Sequence, residues 1–294
     1  MMDDYRDFVP QVHFELVPIK DLVSNQEYQR SLSMIHVKKA AEEFDLHQVN
    51  PIKVSRRDGV NYVFNGQHTA EIIALVSGSR DTPVWCMIYD DLDYMEEADI
   101  FANQMKNVKP LLPIEIFNAN CEAGSDRELI IKGLVESYDL AISNSSTPGN
   151  ICAVGALERI YDKYGYNVLD RVLNLIIITW EGEPKSFSGN LMTGLAKLIY
   201  TYGDNIKDEV FKEKLGVISI KEIIKTAKER RAGSVGFAEA ILSFYNNRRK
   251  KGALKWSQLY SVKPPKKEDD PPREETAAPD TDEEKEPLEE RDPA

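Results

Sequence analysis

The sequence predicts an α+β protein in three parts: a small N-terminal domain of alternating strands and helices, an all-α region, and a disordered acidic tail. Three observations carry this. Residues 14–90 alternate short β-type runs with helical spacings and are punctuated by Asp58-Gly59 and Asn65-Gly66. From Pro113 onward the apolar spacing is helical. After residue 261 the composition turns to Pro, Glu, Asp and Lys, with Leu288 the last large apolar residue. Such a segment buries too little apolar surface to offset its ordering entropy. The expected bounds are 1–112, 113–261 and 262–294.

Residues 14–19 read as the first strand. Asp21-Leu22 then starts a turn towards Glu27-Tyr28-Gln29-Arg30. Ser33 can cap a helix running to about Leu46, with Ile35, Ala40, Ala41 and Phe44 on its apolar face. Residues 51–56 and 60–64 are strands joined through Asp58-Gly59, a tight-turn pair whose two positions both want positive φ. Asn65-Gly66 breaks the second strand, and residues 67–75 have helical spacing. Residues 83–89 are a further strand and 96–106 a helix. Helices are then expected at 113–123, 127–138, 153–164, 167–180, 189–202, 221–231 and 237–250, with Gly- and Pro-containing breaks between them.

Composition excludes several classes. The longest apolar run, residues 172–180, is about half of what a bilayer span needs. The N-terminus is acidic and lacks the apolar core of a signal peptide. The chain therefore reads as cytoplasmic, with no membrane partner. Cys86, Cys121 and Cys152 are too scattered for a disulfide framework or a zinc site and read as three buried thiols; no metal site is expected. Net charge is −12, but residues 263–294 hold six basic and thirteen acidic residues, a net of −7. The rest of the chain is only mildly acidic.

The junction at residues 64–75 is the most informative stretch. A helix N-terminus presents unpaired N–H groups and the positive end of a macrodipole. Gly66 lets the backbone approach a ligand closely, and Gln67 and His68 add donors. Strand, Asn-Gly and helix thus make a candidate phosphate site at Asn65, Gly66, Gln67, His68 and Thr69.

The order of features over residues 14–118 resembles the N-terminal domain of the ParB/sulfiredoxin superfamily. The matching pieces are Gln29-Arg30 after the first strand, Asn50-Pro-Ile-Lys-Val54, the box Asn65-Gly66-Gln67-His68-Thr69 and the acidic Glu96-Glu97-Ala98 helix. The box is similar to the Asp-Gly-Gln-His-Arg version found in phage and mobile-element proteins. Asn103-Gln-Met-Lys-Asn107 is similar to the segment that follows the acidic helix in that branch. The resemblance implies a small mixed sheet and handling of phosphate at the turn, with Arg30 supplying positive charge. ParB-like members bind a nucleoside triphosphate and clamp DNA, whereas sulfiredoxin and a serine-kinase branch do phosphoryl chemistry and some members are called nucleases. It therefore implies a nucleotide- or nucleic-acid-phosphate-binding protein, DNA-associated and from a mobile element. The candidate cofactor is a nucleoside triphosphate with magnesium.

The departures decide between binding and catalysis. Thr69 stands where the family carries an Arg, which removes a charge-assisted phosphate contact worth roughly 1.5–3 kcal/mol. Asn65 replaces an Asp that could act as base or metal ligand, and Gln67 is no nucleophile. Binding without turnover is the leading expectation. The alternatives are a nuclease or nucleotide-dependent phosphotransferase, with His68 as base beside Glu27, Asp58 or Glu71, and a non-catalytic protein–protein adaptor.

Two basic stretches break the acidic average. One comprises Lys221, Lys225, Lys228, Arg230 and Arg231; the other comprises Arg248, Arg249, Lys250 and Lys251, near Trp256. Cations favour helix C-termini, where both runs fall. Arg248, Arg249, Lys250 and Lys251 are the candidate contacts to a nucleic-acid backbone.

Overall fold

Asp58 and Gly59 both adopt positive φ, +50° and +77°, so the chain turns back on itself within two residues. Around this hairpin the computed structural model describes residues 9, 11–24, 27–90, 92–104, 106, 108–249 and 251–262. The expected acidic tail beyond residue 262 and Lys250 lie outside the described residues, as do two positions, 105 and 107, of the segment after the acidic helix. The chain divides into two compact units, Met1–Pro110 and Leu111–Ala294.

In the first unit the strands β1 (His13–Pro18), β2 (Leu22–Ser24), β3 (Ile52–Arg57), β4 (Val60–Asn65) and β5 (Pro83–Tyr89) form a mixed sheet in the order β1-β5-β3-β4-β2. β1 runs antiparallel to β5 with His13 opposite Ile88, and β3 is antiparallel to β4; β3–β5 and β2–β4 are parallel. Alternation puts Val17, Ile52, Val54, Val63, Cys86 and Ile88 on one face. There they are buried together with Ala70 of helix α2 (Gln67–Ser77). The opposite face carries Phe64, whose buried ring meets Tyr89 edge-on at 5.4 Å. Helix α3 (Tyr94–Asn103) packs near β4, opened by an Asp93–Glu96 capping box.

Ser33 caps helix α1 (Met34–Glu42) as expected, its hydroxyl accepting from His36 N–H at 3.3 Å. The helix ends earlier than its spacing suggests, because Asp45 opens a separate single turn at Leu46–Gln48. Its buried face is also different. Val37 is fully buried, whereas Ile35 is 85% exposed. The expected turn at Asp21-Leu22 instead leads directly into β2, which is too short to show period-2 alternation.

The second unit is helical: α4 (Pro113–Glu122), α5 (Asp126–Glu136), α6 (Val154–Tyr164), α7 (Tyr166–Trp180), α8 (Gly189–Tyr202), α9 (Asp208–Leu215), α10 (Ile220–Arg230), α11 (Gly233–Asn246) and α12 (Trp256–Ser261). One two-residue parallel pair, β6 (Ala141–Ile142) with β7 (Asn150–Ile151), interrupts it. α8 is packed by α6, α7, α11 and α12. Gly194 lets α11 come close: a Cβ there would lie 2.6 Å from Ser234 O and 2.9 Å from Ala238 N. α9 and α12 escape the sequence reading because each is under three turns and is set off by glycine-containing segments.

The expectation of three buried thiols holds for one of them. Cys86 is buried in the sheet, Cys121 is half-buried on α4, and Cys152 is exposed in the residues between β7 and α6. Its apolar neighbour Ile151 takes the inward position there.

Candidate functional site

Two helix N-termini meet beside the turn after β4. Gly66 caps α2 in a left-handed conformation, φ +102°. A Cβ at this position would also stand 3.2–3.3 Å from Ile52, so the backbone angle favours glycine and the space beside Ile52 is tight. Gln67, the first helical residue, is buried and donates from Nε2 to Arg30 O at 2.6 Å. One residue on, His68 Nε2 accepts from Ser33 N–H at 3.2 Å, and its ring lies edge-on to His36 at 5.6 Å. The Arg30–Ser33 segment is thereby tied to the start of α2, and the N-terminus of α1 lies next to that of α2.

Because Nε2 accepts, the proton of a neutral His68 belongs on Nδ1. Burial holds the His68 pKa below the ordinary 6.5, and the nearby charges of His36 and Arg30 act in the same direction. A histidine depressed in the folded state contributes stability that is complete above the unfolded value and is lost as pH falls towards the folded one. The N-terminal unit should therefore weaken as pH drops below about 6.5, because protonation of Nε2 breaks the bond from Ser33. Unfolding midpoints measured across that range should show a slope that is flatter in His68→Gln. An equal slope in both proteins would rule out His68 as its source.

The remaining turn residues diverge. Asn65 is exposed at the end of β4, opposite Lys53. Thr69 lines a shallow cleft of about 270 Å³ with Ala40, Phe44, Val49 and Ile73. Arg30 is exposed and makes no ion pair among the described residues. The carboxylates considered as partners of His68 are engaged elsewhere or set apart: Glu71 holds Arg80 at 2.8 Å, Glu27 accepts from Tyr94 at 2.8 Å, and Asp58 sits in the hairpin turn.

A polar constellation that the sequence reading missed joins α3 to the end of β3 and to Tyr28. Glu97 of α3 is fully buried, pairs with Arg57 Nε at 2.5 Å and accepts from Tyr28 Oη at 3.2 Å. The Arg57 guanidinium stacks 4.3 Å from the Tyr62 ring centroid. Burial, helped by the Glu97 carboxylate, pushes the Tyr28 phenol up to about 12, so it stays a donor. Next to Tyr28, Gln29 is buried and donates to Val63 O, which fixes the segment that presents Arg30. The partners are 40 and 69 residues apart in sequence, and no local spacing signals them.

In the second unit, much of the basic charge is spent on the fold. Arg249 lies 4.6 Å from the Tyr245 ring, Arg230 bonds Ser243 at 2.8 Å and faces Trp256, and Arg231 lies 4.0 Å from Glu239. Arg248 and Lys251 are exposed. Among the described residues no group of three or more His, Cys, Asp and Glu side chains is placed to hold a metal ion, and no helix is long and apolar enough to cross a membrane.

A family model described as a family of unknown function, DUF6551, matches residues 23–258. The chain belongs to this family. The match spans both units of the DUF6551 chain and includes the paired N-termini. No curated protein matches the sequence. Among solved structures, it is similar to the C-terminally truncated chromosome-partitioning protein ParB from Caulobacter crescentus complexed with CTP-γ-S. That likeness covers 64% of this chain and 98% of that one, at 15% identity and a TM-score of 0.35. A likeness of this degree assigns no ligand or activity to the DUF6551 chain.

Proposed function

We propose that the N-terminal unit binds a phosphate-bearing ligand, a nucleotide or a nucleic-acid strand, where α1 and α2 meet, and that the protein works by binding and not by turnover. The observation that supports this best is Arg30. It carries no countercharge among the described residues, its charge is felt at His68, and its backbone is bonded to the start of α2. Gly66, Gln67 and His68 bring first-turn N–H groups to the same place, a set of donors that complements phosphate oxygens. Asn65 flanks this set, and Thr69 faces the neighbouring cleft. These donors support a phosphate reading, and magnesium would arrive with the nucleoside triphosphate. Association with DNA, contacted through its backbone by exposed Arg248 and Lys251, and a mobile-element origin of the protein belong to the same reading.

Catalysis is the less favoured reading for a geometric reason. His68 Nε2 is occupied by Ser33 N–H, so using it as a base would first free the N-terminus of α1. The test is a thermal-shift screen against nucleoside di- and triphosphates and short DNA. A ligand at about 100 times its Kd adds roughly 2.7 kcal/mol of stability. Arg30→Ala should weaken the best ligand about tenfold or more, as expected for a lost charge-assisted bond. No shift with any of these ligands would leave the adaptor reading in its place.

A further inference from the structure

The helical unit carries a second cavity, of about 190 Å³ and open to solvent on the side of exposed Lys163, whose lining is unlike the α1–α2 junction. Lys163 and Tyr164 enter from the end of α6, Lys197, Tyr200 and Thr201 from α8, and Ser234 from the first turn of α11. Lys197 and Thr201 are four residues apart and so share one face of α8. The rings of Tyr164 and Tyr200 meet at 5.2 Å, and the Lys163 ammonium lies 5.3 Å from the Tyr164 centroid.

Charge is what sets this cavity apart. Neither Lys163 nor Lys197 makes an ion pair among the described residues, although the protein as a whole carries −12. The acids nearby are committed elsewhere. Asp162 holds Arg127 at 3.1 Å, and Glu239 accepts from Tyr260 at 2.7 Å and lies 4.0 Å from Arg231. Burial holds the Lys197 ammonium below the ordinary lysine value, and the charges of Lys163 and Arg231 add to the effect while Glu239 opposes it. The Thr201 hydroxyl is buried with no hydrogen-bond partner. Ala232, the cap of α11, offers no hydrogen-bonding side chain to the free N–H groups of that first turn. Two ammonium groups that face rings, Lys163 over Tyr164 and Lys197 5.9 Å from the Tyr260 centroid, but pair with no carboxylate among the described residues, together with an idle hydroxyl and uncapped amides, call for a negatively charged, acceptor-rich group.

We propose that this cavity is an oxyanion site that takes the phosphoryl group of a small ligand, held by Lys163 and Lys197. Its volume falls below the roughly 300–1,000 Å³ of pockets for drug-sized molecules, so it suits pyrophosphate or a small phosphate ester. The chain itself offers another source of oxyanion. Val262 lines the cavity, and Glu268-Asp269-Asp270 follow it in sequence within a reach of roughly 20–27 Å.

Lysine acetylation of the full-length chain, read residue by residue by mass spectrometry with and without inorganic pyrophosphate, tests the site. Saturating pyrophosphate should slow labelling of Lys163 and Lys197 about tenfold while exposed Lys20 is unaffected. Lys197→Ala should raise the pyrophosphate concentration needed to protect Lys163 about tenfold, and Lys163→Ala should do the same for Lys197. Arg30→Ala should change neither, which separates this site from the α1–α2 junction. If the chain's own carboxylates fill the cavity, E268Q/D269N/D270N should speed basal labelling of both lysines and lower the pyrophosphate concentration that protects them. Labelling of Lys163 and Lys197 that ignores pyrophosphate in both the natural chain and the triple variant overturns the proposal.

Discussion

Glu97→Ala is expected to cost the N-terminal unit about 3 kcal/mol, near the lower end of what removing one partner of a buried ion pair costs. Glu97 is fully buried and is held by Arg57 and Tyr28 together. Its removal leaves a guanidinium and a phenol facing a void. Arg57 is 27% exposed and keeps its stack on Tyr62, so water and the ring soften the loss. The effect should be local. Hydrogen exchange resolved by peptide should speed up in β4 and α3 and stay unchanged in the helical unit. A double-mutant cycle with Arg57→Ala should return a coupling of at least about 1 kcal/mol. Additive single and double variants would mean that the pair contributes packing and no ionic coupling.

Tyr245→Ala should destabilise the helical unit by about 3–5 kcal/mol, the range for truncating a large buried aromatic. Its ring is buried on α11, 6.4 Å from that of Phe211 and 4.6 Å from the Arg249 guanidinium. Its hydroxyl accepts from Lys207 N–H at 3.1 Å and donates to Asn205 O at 3.4 Å, tying α11 to the start of α9. Tyr245→Phe keeps the ring and removes these bonds, so it should cost only about 0.5–1.5 kcal/mol. Urea unfolding followed by far-ultraviolet circular dichroism would report both. Equal losses in the two variants would show that the hydroxyl, and not the packing, carries the energy.

The legible parts of this protein are those set by neighbouring residues. Asp58-Gly59 announced the hairpin because two positive φ angles in succession favour such a pair. Ser33 announced the start of α1 through a bond to His36, three residues on. Gly66 announced the end of β4, although Asn65 still pairs within the strand. What the sequence concealed depends on distant partners. β2 is three residues long and exists because β4 lies beside it. Val37 outranks Ile35 because α1 packs on α2, which no local spacing within α1 specifies. At the candidate site, Gln67 and His68 were visible as residue types, but their partners, Arg30 O and Ser33 N–H, lie 37 and 35 positions away. The Lys163–Lys197 cavity was invisible for the same reason. Three separate helices and Val262 supply its lining, and neither lysine stands in a basic run.

The pairing of β1 with β5 sets a clock on synthesis. β1 emerges from the ribosome first, yet it sits at the sheet edge and its partner is β5, with Ile88 lying 75 positions beyond His13. At about 5–20 residues per second, β1 waits roughly 4–15 s before its partner has been made. Through that interval Phe14, Leu16 and Val17 have no sheet to join. The successive helices of the second unit meet neighbours made moments earlier, so contact formation there keeps pace with translation.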